Sequence, residues 1–192
     1  MHLSPRSRRV TAHLALPVAV VLSGIVVGTS SYAAFSDRTD NPGNAWASGK
    51  VAISDDDAGE ALFDVAGLLP GDSGTACITV TTDTSAESSV RLYSGESTDA
   101  DALADHLDLV VERGAATDDC STFTAEGGPV LDGSLSDLMG VTSFADGLGQ
   151  WNVPAGSTSS TYRFSYELDP AAPNTVQEAT AATTFVWEAQ ND

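Results

Sequence analysis

The chain has 192 residues, with 8 Lys and Arg against 27 Asp and Glu, a formal net charge of −19, and 42% hydrophobic residues. That length suits one domain behind a leader, and the acidity opposes phosphate backbones and anionic lipid headgroups, which disfavours nucleic acid or a membrane surface as partner. The charge serves solubility; the alternative reading is a surface that collects divalent cations.

The chain begins with Arg6, Arg8 and Arg9, followed by "LALPVAVVLSGIVVG" (residues 14–28) and then small residues. This order is that of a secretory signal peptide. The apolar run falls short of the roughly 20 residues that span a bilayer, and Pro17 and Gly24 weaken it as a permanent helix. Ser31-Tyr32-Ala33 meets the small-x-small rule, whereas a cut one residue later would put Tyr32 where a small side chain is wanted. Residues 1–33 are therefore expected to be the signal peptide, cut between Ala33 and Ala34 by a signal peptidase during export. The alternative is an uncleaved amino-terminal anchor, the one way in which this reading would attach the chain to a membrane. Three arginines leave with the leader, so the remaining 159 residues carry 5 basic and 27 acidic side chains, a charge of −22.

Residues 34–48 read as a flexible amino-terminal segment, because Pro42 and Gly43 interrupt any ladder while Phe35 and Trp46 remain available for burial. The domain proper is expected over 49–192. Short strands are predicted, in chain order, over 50–54, 61–65, 75–81, 89–94, 106–112, 129–135, 160–168 and 183–189. The clearest is "STYRFSYEL" (160–168), where Tyr162, Phe164, Tyr166 and Leu168 alternate with Arg163, Ser165 and Glu167. Ala76, Ile78 and Val80 alternate in the same way, as do Leu107, Leu109 and Val111. Pro70-Gly71, Gly127-Gly128, Asp132-Gly133 and Asp169-Pro170 supply turns. Helical turns are expected only over 99–106 and 134–140. The pattern predicts an all-β fold, an antiparallel jelly-roll-like β-sandwich of about eight strands with one or two short helical turns, because half-buried strands at short spacing cover their apolar faces with a second sheet.

Cys77 and Cys120 both lie beyond the leader. In an oxidising compartment two thiols in one small domain most often form a single disulfide, which over a loop of this length adds about 4 kcal/mol on the chain-entropy model. Free thiols or an intermolecular bridge are the alternatives. No second cysteine pair or histidine pair accompanies them, so no zinc site is expected.

The patterns that resemble catalytic motifs fail on composition. "GDSG" (71–74) resembles the surroundings of a protease serine, but the mechanism needs a histidine base with a carboxylate behind it. His106 is the one histidine beyond the leader and follows the serine, and a plain "LLPGDSG" turn accounts for the same residues. His-Glu-x-x-His is absent. Asp99, Asp101, Asp105 and Asp108 around His106 read as a solvated acidic turn, with oxygen ligands to a metal as the alternative. "SDDDAGE" (54–60) alternates Asp55 and Asp57 before Gly59, but the twelve-residue calcium loop requires an acid where Ala66 stands. No catalytic residue, metal ligand set or cofactor is assigned; calcium held by carboxylates from separate loops stays open. Trp151 and Trp187 read as core or corner residues, with a sugar platform as the alternative.

With these pieces placed, "GTSSYAAFSDRTDNPGNAWASGKVAI" resembles the amino terminus of the TasA/camelysin family, and "LLPGDSGTACITV", "TYRFSYEL" and "TFVWEAQ" are similar to its later strands. The match covers both ends of the chain beyond the leader and little of its middle; the cysteine pair and "LDLVVERG" resemble secreted actinobacterial members. The resemblance implies a jelly roll exported by a Gram-positive cell to the matrix or cell surface. It implies self-assembly into biofilm fibres by donation of an amino-terminal strand, or contact with other matrix proteins, with residues 34–48 as candidate donor and Phe35 and Trp46 as candidate assembly residues. A camelysin-type metalloendopeptidase and a small adhesin or glycan-binding module are the alternative functions; the first lacks a recognisable zinc ligand set here.

Overall fold

The computed structural model describes residues 36–39, as backbone, and 51–191. Contacts divide the chain into Met1–Ala34 and Phe35–Asp192, and the second unit carries every described element. Nine strands are described: β1 (Ser36–Thr39), β2 (Val51–Asp55), β3 (Ser73–Thr84), β4 (Ser88–Asp99), β5 (Leu107–Ala115), β6 (Leu131–Ser134), β7 (Leu148–Val153), β8 (Gly156–Leu168) and β9 (Ala181–Asn191). One short helix, α1 (Leu135–Met139), follows β6.

The strands form two antiparallel sheets, ordered β1-β9-β4-β7 and β2-β3-β8-β5-β6. First pairs with last, β3 with β8, β4 with β7, and β5 with β6. This nesting of pairs, in which the chain runs out and returns beside itself, is the wrapping of a jelly roll, with β2 added at one edge. Its spine is the β3–β8 pair, in register from Ser73↔Glu167 to Thr84↔Gly156.

The expected alternation is realised along that spine. Ile78 and Val80 of β3 and Tyr162 and Phe164 of β8 are buried, as are Leu109 and Val111 of β5. The opposite sheet contributes Val90, Leu92, Trp151, Val153, Trp187 and Ala189, so the core lies between the sheets. Phe164 sits 4.5 Å from Phe185 and 6.1 Å, edge-on, from Trp187, while Tyr162 meets Trp187 at 5.4 Å. Polar residues continue the inward face of β3 at its far end. Thr82 and Thr84 are buried there because their hydroxyls donate to the carbonyls of Thr158 and Pro154. A second apolar cluster, Leu103, Leu107 and Leu168, closes one end.

Three expectations are corrected. Residues 61–65 form no strand; Leu62 and Phe63 pack on the core from an irregular crossing segment. Asp132-Gly133, read as a turn, lies inside β6. β7 is an added strand, in which buried Trp151 and Val153 alternate with Gln150 and Asn152. Both expected helical turns form, over Leu103–His106 as 3-10 helix and over α1.

Candidate functional site

Strand β9 is bound on one side by β4 along most of its length, from Ser88↔Asn191 to Asp99↔Ala181. On its other side, β1 occupies only Trp187 to Gln190, through the pairs Thr39↔Trp187 and Ser36↔Gln190 at its ends. The two attachments differ in extent, ten register pairs with β4 against four with β1. β9 is anchored by buried Val186, Trp187 and Ala189 as well as by its ladder, whereas β1 adds four register pairs at the sheet edge. A sheet edge offers the same N–H and C=O groups to a strand of its own chain or of another copy. Ser36–Thr39 belongs to the segment expected to be loose, and these four residues are a strand. The cleavage residues Ala33 and Ala34 and the assembly residues Phe35 and Trp46 lie outside the described residues.

The disulfide forms between Cys77 of β3 and Cys120, with Cα atoms 5.5 Å apart across a sequence separation of 43. It pins the loop after β5 onto the outer face of the five-stranded sheet, where the Thr117 N–H donates to the Thr161 hydroxyl at 2.9 Å. Phe123, midway along that loop, lies under the Arg163 guanidinium at 4.6 Å, and Arg163 also donates through Nε to Glu112 at 3.0 Å.

"GDSG" is explained by backbone mechanics. The Asp72 N–H donates to the Leu69 carbonyl at 2.9 Å, and Gly71 takes φ +89°, which makes Leu69 to Asp72 a tight turn with Pro70 and Gly71 at its centre. The Asp72 carboxylate accepts from the Leu69 N–H at 2.8 Å, so it serves the turn. Gly74 leaves room for Tyr166, whose ring would lie 2.6 Å from any Cβ added there. Ser73 begins β3 opposite Glu167.

The acidic stretches have local roles as well. Asp56 accepts from the Thr79 N–H at 2.8 Å and Asp57 from the Gly59 N–H at 3.0 Å, which ties the end of β2 to β3 and shapes the following turn. Asp55 titrates high, raised to about 6, first by burial, then by a hydrogen bond to Asp57 and by the charges of Asp57 and Asp56. Asp99 accepts from the Ala104 N–H at 3.0 Å, which holds the 3-10 turn before His106. Among the described residues no group of three or more His, Cys, Asp or Glu side chains is arranged to hold a metal ion.

Trp151 and Trp187 are core residues, 7% and 2% exposed, which removes the sugar-platform reading for both. Among the described residues, the buried Tyr162 hydroxyl and Trp187 indole N–H have no hydrogen-bond partner. Burial holds the Tyr162 hydroxyl well above its ordinary range. Sequence reasoning missed the β1–β9 contact, since Ser36–Thr39 carries no apolar alternation; its partner was set by chain return. No protein-family model and no curated protein matches this chain.

Proposed function

We propose that this protein is a non-catalytic extracellular building piece, in the matrix or at the surface of a Gram-positive bacterium, that assembles by passing its amino-terminal strand to β9 of the next copy. The observation that carries this reading is β1, held at the sheet edge by four register pairs close to the amino-terminal end of the domain. Export and cleavage after Ala33 by a signal peptidase would free the chain ahead of β1, so that the strand could leave its own β9 and cover another. The disulfide is compatible with an oxidising location. The resemblance to the TasA/camelysin family supports the same reading, with self or another matrix protein as partner.

The test compares residues 34–192 with a variant lacking 34–48, by electron microscopy and light scattering over a range of concentration and salt. Fibres or oligomers from the first and monomers from the second are expected. A first protein that stays monomeric throughout would count against strand donation. Mass determination of the exported form is expected to place its amino terminus at Ala34.

A further inference from the structure

A cavity of about 490 Å³ opens at the end of the sandwich beneath the segment that crosses from β2 to β3. Its wall reaches true core residues, Ile78, Leu109 and Trp187, none exposed by more than 3%. Phe63 and Tyr166 form part of its side, edge-on at 5.1 Å. The roof is held unusually. Leu62 and Phe63 pack on the core and Leu68 on the second cluster, yet among the described residues no hydrogen bond is made by residues 61–68. A roof fastened by side chains alone lifts at less cost than a laddered strand. At the rim stand half-buried Asp57 and exposed Asp64, Asp108 faces the outer side of β5 between inward Leu107 and Leu109, and among the described residues no Lys, Arg or His lines the cavity.

We propose that this cavity binds a small amphipathic cation, an apolar chain or ring carrying an ammonium group. The volume lies within the range of small-molecule sites, and the apolar wall removes the body of such a ligand from water. The rim carboxylates of Asp57 and Asp64 attract its charge. An anionic head of the same size meets only repulsion there. A neutral head gains no charge attraction there.

The experiment is isothermal titration of the purified full chain with octyltrimethylammonium, octyl glucoside and octyl sulfate, each below its micelle concentration. The cation is expected to bind at least about ten-fold more tightly than the other two. Asp57→Asn combined with Asp64→Asn is expected to remove most of that advantage. Ala181→Phe, which fills the cavity from β9, and Ala61→Trp, which fills it from the roof, are expected to abolish binding, with thermal unfolding used to show that at least one filler variant remains folded. Equal affinity for the three head groups would overturn the proposal. So would affinity unchanged in a folded filler variant, which would place the amphiphile on the apolar leader or the general surface.

Discussion

At the end of β2, burial first and then the acids that follow it raise the Asp55 carboxyl to about 6. The unfolded chain releases this proton near 3.8 and the folded protein near 6, so the folded state binds more protons across that window. Its contribution to stability is therefore lost as pH rises from about 4 to 6 and stays lost above. Asp55→Asn is expected to raise the urea midpoint at about pH 7.5 and to leave it nearly unchanged at about pH 4. Subtracting the wild-type profile removes the background repulsion of the other acids. Phe164 belongs to the same scale: fully buried between Phe185 and Trp187, it is expected to cost about 3–5 kcal/mol when changed to Ala, read as the loss in unfolding free energy.

Among the elements, α1 shows how five residues become a helix. Ser134 caps it by accepting from the Asp137 N–H at 3.1 Å, and the Asp137 carboxylate returns to the Ser134 N–H at 2.8 Å. The Ser134 N–H, together with the Ser134 hydroxyl, donates to the Asp137 carboxylate and holds that carboxyl below its ordinary range. Ser134→Ala is expected to lower stability by about 1 kcal/mol, measured by urea unfolding near neutral pH. The disulfide acts on a larger piece, since it closes the β5 loop against β3. Its loss in the double variant Cys77→Ser and Cys120→Ser is expected to lower stability by about 2–4 kcal/mol without changing the far-ultraviolet circular dichroism at low temperature. Strands with strict alternation, above all β8, were legible because burial on one face imposes period two on the residues. The 61–65 run misled because its apolar residues fill the gap under a crossing segment, a need that local pattern does not distinguish from a strand. β7 escaped notice because its two buried side chains, Trp151 and Val153, are too few to stand out between glycines.

For the whole molecule, 27 acids against 8 basic residues set the terms of self-association. Copies of like charge repel over about 10 Å at 0.1 M salt and much less at 1 M. Assembly through β1 is therefore expected to strengthen as salt rises, with the critical concentration falling between about 0.05 and 0.5 M sodium chloride. Light scattering of residues 34–192 would read this, and weakening with salt would point to attraction between opposite charges instead of strand pairing.

Composition and periodicity by themselves determined that this chain is all-β, which face of each principal strand is apolar, and that the two cysteines lie in one compact domain. These follow because each strand buries a face whichever partner it takes. Partner choice is different, since the same alternation fits many sheet orders. Only the tertiary structure decided that β9 lies between β1 and β4, that Gly74 gives room to Tyr166, and that the sheets part over a cavity under residues 61–68. Each of these joins residues that are far apart in the chain, and their contacts exist only once the jelly roll has closed.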